Sequence, residues 1–359
     1  MADAVHTPIA EPDAALSPPA APDAVRGLGR IVRGYGLYAD VAPDDGWQLH
    51  AGAGDFASSA SAAHGAGDVP GTLRIVRCTM RGSLKRERRR TDPLAVGDRV
   101  EFLLTTPDVD PPEGVIEAVL PRVRTLSRLA RGRDDVQQVI VANPDLLVVV
   151  FAIREPEPHP RLVDRFLLVA EAQQLPVVIC ANKIDLVDPE QVEAEVAERF
   201  APQIAAGYRV LPTSARSAAG MEALEELLQG QVSAFAGPSG VGKSSLLNTI
   251  APERNERTGE VSTATGKGRH TTTWTTLVRL GADTWIADTP GIRALRVWGV
   301  NTNELDHLYP EFRPYLDTCF YDDCHHTHEP RCAVRDALEA GAIHPERYAS
   351  YVALREGEW

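Results

Sequence analysis

The chain has 359 residues, a hydrophobic fraction of 43% and a formal net charge of -13. That length can bury two or three cores, and the acidic balance excludes a protein that coats nucleic acid over its whole surface, so any such contact must be local. The longest apolar run, 146–153, is eight residues, far short of the roughly 20 of a membrane-spanning helix, and no basic-then-apolar leader opens the chain, so a cytoplasmic protein without membrane contact is expected.

Residues 1–26 mix Pro8, Pro12, Pro18, Pro19 and Pro22 with alanines and acids, a composition that cannot build a core and predicts a disordered acidic tail. Over 27–130, short apolar runs at 30–32, 73–76, 99–103 and 114–119 are separated by Gly, Pro and Asp, the pattern of a small β-barrel. A Gly/Ala/Ser stretch at 51–71 reads as a flexible insertion. The basic run Lys85-Arg86-Glu87-Arg88-Arg89-Arg90 lies in a stretch, 71–133, with 14 Lys and Arg against 8 Asp and Glu. Barrels of the oligonucleotide-binding (OB) type present such loops to phosphate backbones. Over 136–295, strand-like runs alternate with amphipathic segments, which predicts a parallel α/β sheet. Residues 296–359 carry a cysteine cluster and two short helical patterns, and form a third, small domain.

The most specific local signal is Gly237-Pro238-Ser239-Gly240-Val241-Gly242-Lys243-Ser244, which matches G-x-x-x-x-G-K-[ST]. A strand-like run precedes it and a helical pattern beginning with Ser245 follows, so backbone N–H groups and a helix amino end face an anion. Lys243 then reaches the β and γ phosphates and Ser244 offers its hydroxyl to Mg2+.

A phosphate loop leaves the base undecided. Asn182-Lys183-Ile184-Asp185 follows the apolar strand 176–181, at the strand end where open α/β sheets bind ligands. The carboxylate of Asp185 can accept from guanine N1–H and the 2-amino group, donors that adenine lacks there, which favours GTP. Thr213-Ser214-Ala215 ends the next strand-like run and resembles the companion guanine loop. Asp288-Thr289-Pro290-Gly291 supplies an acid for Mg2+ and an N–H that can sense the γ-phosphate. Between these elements lies a polar switch-like segment, 266–273; one of Thr271, Thr272 or Thr273 completes the Mg2+ set, and Thr272 is assigned. Ile292 stands where many GTPases carry a water-orienting Gln, which predicts slow intrinsic hydrolysis; His270 is the local residue that could position water.

The motifs are out of the usual order. The base-reading elements at 182 and 213 precede the phosphate loop at 237, so the domain is circularly permuted. Further on, Cys319-x4-Cys324-x-His326-x5-Cys332 offers three thiolates and one imidazole, the donor set of a closed tetrahedral zinc site that stabilises rather than catalyses. His325 and His328 are rival ligands.

Taken together, N-K-I-D, T-S-A, G-P-S-G-V-G-K-S-S, G-R-H-T-T-T and D-T-P-G in that order, flanked by the barrel and the C-x4-C-x-H-x5-C cluster, resemble the circularly permuted GTPases of the RsgA (YjeQ) family over about residues 28–355. The resemblance implies an OB-fold barrel, a circularly permuted P-loop GTPase domain of α/β class and a mainly helical carboxyl-terminal domain holding one structural Zn2+. It also implies a monomer that works with GTP/GDP and Mg2+ on the 30S ribosomal subunit and its 16S rRNA late in maturation, hydrolysing GTP under stimulation by the subunit and leaving it when mature. It points to His270 as well. The long acidic tail and the 51–71 insertion depart from the commoner pattern.

Overall fold

A computed structural model of the chain describes residues 25–35, 38–44, 75–82, 94–130, 133–252, 275–288 and 302–358, with backbone alone at 128–130, 133–137, 288 and 302. The expected tail up to residue 24, the insertion, the basic run and the switch-like segment, with residues 289–292, lie outside the described residues; the end of the expected tail instead belongs to the barrel, with Val25 against its core and Arg26 opening its first strand.

Five strands, β1 (Arg26–Tyr35), β2 (Tyr38–Pro43), β3 (Val76–Met80), β4 (Arg99–Thr106) and β5 (Glu113–Val119), form a closed barrel in the order β1-β2-β3-β5-β4, with β4 returning to β1. The β3–β5 pair is parallel and the others are antiparallel. Alternation drives the closure: Val100, Phe102 and Leu104 of β4 point inward between exposed Glu101 and Thr105, and meet Ile31, Val41, Val76, Cys78 and Ile116 in one core. Among these strands β2 left no apolar signature. Its Asp40 is buried because Tyr35 Oη donates to its carboxylate, while Arg77 Nε donates to Tyr35 Oη at 2.8 Å and sits 3.5 Å from Asp40.

A two-stranded hairpin, β6 (Thr125–Ala130) and β7 (Arg133–Ala142), leads from the barrel to the second sheet. That sheet runs β10 (Val210–Pro212), β9 (Val177–Asn182), β8 (Leu146–Ala152), β11 (Val232–Ala236), β13 (Thr284–Asp288), β12 (Thr276–Gly281). Its first five strands are parallel and β12 is antiparallel. Every residue of β8 is buried because both faces are covered. Leu147, Val149 and Phe151 pack with Val163, Phe166 and Leu167 of α1 (Pro160–Ala172). Leu146, Val148 and Val150 pack with Leu224 and Leu228 of α4 (Met221–Leu228) and Leu246 of α5 (Lys243–Ile250). Helices α2 (Val192–Arg199) and α3 (Ala201–Ala205) fill the β9–β10 crossover. Barrel and sheet share one ladder, since Arg33 of β1 pairs with Thr276 of β12. No helix among the described residues is long and apolar enough to cross a membrane.

The carboxyl-terminal region comprises three 3-10 segments (Thr302–Glu304, Asp306–Leu308, Arg313–Thr318) and helices α6 (Ala333–Glu339) and α7 (Pro345–Arg355). Tyr309, Phe312 and Tyr351 stack at its centre, with Leu168 of α1 in the same core. A buried ion network fastens it to the α/β sheet. Arg347, 1% exposed, donates to Asp164 Oδ1 on α1 and to Glu311 Oε1, both at 2.6 Å, and lies over the Tyr309 ring at 4.5 Å. Gln203 Nε2 adds a third contact, to Asp164 Oδ1 at 2.9 Å. Burial opposes the guanidinium charge, yet Asp164 and Glu311 outweigh it and hold the Arg347 pKa above its ordinary value. Arg347→Ala strands two carboxylates in a dry interface, a change worth about 3–5 kcal/mol. It is expected to strip hydrogen-exchange protection from Pro345–Arg355 while β8 stays protected; equal protection in the variant would show that the network does not hold the regions together.

Candidate functional site

The carboxyl ends of β8, β9 and β11 meet where the strand order reverses direction, the ligand-binding edge of an open α/β sheet. From β11 the chain turns through residues 237–242 into α5. Two glycines make that turn possible. Gly237 has φ 144°, and a Cβ there would lie 2.2 Å from Val150 O; Gly242, at φ 92°, would put one 2.3 Å from Asn182 Nδ2. Val241 is fully buried and anchors the loop, while Ser239, Gly240, Ser244 and Ser245 are exposed. Lys243 folds back across the turn and donates to Gly237 O at 2.8 Å and Pro238 O at 2.5 Å. Backbone N–H groups, a helix amino end and an ammonium thus converge on one concavity, an arrangement that suits a polyphosphate.

The second half of the site hangs from β9 and β10. Asn182, 1% exposed at the end of β9, donates from Nδ2 to Val241 O at 2.7 Å and accepts from Thr213 Oγ1 at 3.3 Å. Thr213 Oγ1 also lies 2.8 Å from the buried Cys180 Sγ. Lys183 takes a left-handed backbone, φ 65°, and its ammonium donates to Glu155 O. The exposed Asp185 accepts from Ser214 Oγ at 2.6 Å, and that same oxygen accepts from the N–H groups of Arg216 and Ser217 at 3.1 Å each. Ser214 therefore fixes the rotation of the Asp185 carboxylate, and Ala215 packs beneath it against the sheet core. Fixed acceptors at a strand end can read a planar base with donors on one edge.

All the described base-reading and phosphate-loop residues fall on this one edge. Thr213 and Glu155 join them as supports that the motif reading left out of its binding set. Thr213 had a signal, as the first residue of T-S-A; Glu155, which contributes only a carbonyl, had none. Asp288 closes β13, next to β11, with its backbone paired to Thr276. His270 and Thr272 lie outside the described residues.

A second constellation sits in the carboxyl-terminal region. The donor atoms of Cys319, Cys324, His326 and Cys332 all lie within 4.8 Å of one another. Cys319 Sγ is 4.0 Å from Cys332 Sγ and 3.5 Å from His326 Nδ1, which is 3.4 Å from Cys332 Sγ. A tetrahedral ion with Zn–S and Zn–N bonds of ordinary length requires edges of about 3.8 Å and 3.5 Å, which the Cys319, His326 and Cys332 donors match closely, with Cys324 inside the same 4.8 Å group. Burial pushes the Cys324 thiol up to about 12 and Cys332 upward too, so a cation bound here would displace protons. His325 and His328 are exposed and stand apart from the group. Asp306 reaches it from outside the spacing pattern, with Oδ2 at 3.2 Å from His326 Nε2.

Comparison with known proteins identifies the arrangement. A family model described as RsgA GTPase matches residues 119–298, half of the chain. The protein named small ribosomal subunit biogenesis GTPase RsgA of Gemmatimonas aurantiaca is 46% identical over 278 residues, covering 77% of this chain and 89% of that one. Its namesake in Alkaliphilus metalliredigens is 40% identical over 280 residues, covering 78% and 89%. Among solved structures, YjeQ from Thermotoga maritima superposes with a TM-score of 0.67 at 31% identity, covering 92% of this chain and 98% of that one. YloQ, described as a circularly permuted GTPase, gives 0.66 at 26% identity, covering 92% and 94%. The family model, the relatives and the solved structures agree, over most of the chain, and the chain belongs to the RsgA GTPase family.

Proposed function

We propose that this GTPase binds the small ribosomal subunit through 16S rRNA late in maturation, hydrolyses GTP there and leaves when the subunit is mature. The observation that carries the reading is the Asn182 Nδ2 to Val241 O hydrogen bond, which holds the base-reading and phosphate-binding loops at one spacing. Asp185, with Ser214 and Ala215 behind it and Asn182 and Lys183 beside it, takes the guanine. Residues 237–245 take the phosphates, with Lys243 exchanging its loop carbonyls for the β and γ oxygens. Ser244, Thr272 and Asp288 would hold Mg2+, which supplies charge neutralisation on those oxygens. His270 positions the attacking water on the subunit. Names of the relatives support the ribosomal partner. The basic run 85–90 suits a phosphate backbone, and Cys319, Cys324, His326 and Cys332 hold one structural Zn2+. The protein acts as a cytoplasmic monomer.

Gly242→Ala combines a left-handed backbone with a contact on Asn182, and is expected to weaken binding of a fluorescent GTP analogue about tenfold or more. Retained affinity would mean that the bridge to Asn182 does not set the loop. GTP turnover should rise strongly with equimolar 30S subunits and not with 50S subunits, and His270→Ala should lower the stimulated kcat by about 10²-fold while GTP still binds. No stimulation by either subunit would sink the proposed partner, and undiminished turnover in the variant would remove His270 from the mechanism.

A further inference from the structure

The Cys/His cluster is more tightly specified than its four donors require. His326 is 2% exposed and takes a left-handed backbone, φ 60°, and Tyr348 Oη donates to its carbonyl at 2.7 Å. Its ring is pinned from both sides. Nδ1 faces the sulfurs of Cys319 and Cys332 at 3.5 and 3.4 Å, and Nε2 faces Asp306 Oδ2 at 3.2 Å. The other carboxylate oxygen, Asp306 Oδ1, accepts from His307 N at 2.9 Å, so the acid is itself held in place.

We infer that Asp306 is a positioning residue for the metal centre: its carboxylate accepts a hydrogen bond from the Nε2–H of His326 and thereby commits Nδ1, not Nε2, to the ion. The inference rests on the proposal that the cluster holds Zn2+. A neutral imidazole offers one lone pair, on whichever nitrogen lacks the proton. A half-buried carboxylate at Nε2 stabilises the tautomer with its proton there, turns the lone pair on Nδ1 toward the thiolates and makes that nitrogen a stronger donor.

The placement also widens what the ion holds together. Asp306 opens a 3-10 turn whose neighbours Leu305 and Tyr309 are fully buried in the carboxyl-terminal core. It lies 13 residues before the first cysteine ligand, and the spacing C-x4-C-x-H-x5-C does not include it. Through the His326 ring, metal occupancy is joined to the Asp306–Leu308 turn, so the centre fastens positions 306, 319, 324, 326 and 332 rather than a single loop.

The test uses the full chain. Zinc affinity is measured by competition with a chromogenic chelator for the wild type, Asp306→Asn and Asp306→Ala, and the His326 ring nitrogens of the zinc-loaded proteins are observed by 15N NMR. Asp306→Ala is expected to bind zinc about 10–100-fold more weakly, with Asp306→Asn in between because its amide oxygen can still accept. The wild type should show a metal-bound Nδ1 and a protonated Nε2 whose proton exchanges slowly with water, and exchange should quicken in both variants. If Asp306→Ala does not fold, the near-isosteric Asp306→Asn carries both readouts. A metal-bound Nε2, or variants within twofold of the wild type with unchanged proton exchange, would overturn the role of Asp306 and leave the zinc centre standing. A wild-type chain that retains no zinc against the chelator would overturn both.

Discussion

The site depends on one hydrogen bond, from the Asn182 amide to the carbonyl of Val241. It spans the end of β8, because β9 and β11 lie on opposite sides of that strand. Both of its ends are buried, so the bond works in a low dielectric where leaving either group unpaired is costly. Thr213 saturates the other side of the same amide, and the missing Cβ of Gly242 leaves room for it. The spacing between the two loops is thereby set by contacts within the protein itself. A ligand that matches this spacing loses little affinity to reorganisation.

This constraint explains why the altered chain order is harmless. The recognition elements belong to the carboxyl ends of neighbouring parallel strands, and the edge they form is indifferent to which strand is made first. What the permutation changes is the position of the ends. The chain now enters this sheet through the β6–β7 hairpin, packed by Leu126 and Val141 onto the sheet core, and leaves it after β13. The barrel is therefore attached at one margin and the carboxyl-terminal region is held against α1 by Arg347. Each flank is joined by specific contacts rather than by a tether.

Much of this was legible in the sequence, for identifiable reasons. Phosphate and guanine recognition demand particular residue types at close spacing, so 182–185, 213–215 and 237–244 stand out in the sequence, and the fold brings these segments to one edge of the sheet. The barrel strands with strict alternation, such as β4, did so as well. The residues that stayed hidden are polar groups whose partners are distant in sequence. Asp40 makes β2 look like a turn until Tyr35 and Arg77 are seen around it. Arg347 and Asp164, 183 positions apart, read as solvent-facing charges on amphipathic helices but are the most deeply buried ion pair described. Asp306 carries no pattern at all. Periodicity reports on apolar burial, and a buried charge is invisible to it.

The pairing of Arg33 with Thr276 has one more consequence. Without the barrel, β12 would be the outermost strand of its sheet, presenting unpaired N–H and C=O groups to solvent. Such an edge is a template for other chains. The barrel pairs with it at Thr276, so β1 takes up one end of an edge that the sheet would otherwise leave open. A fragment lacking the barrel is a different object in solution: it frees the end of β12 that the intact chain pairs at Thr276.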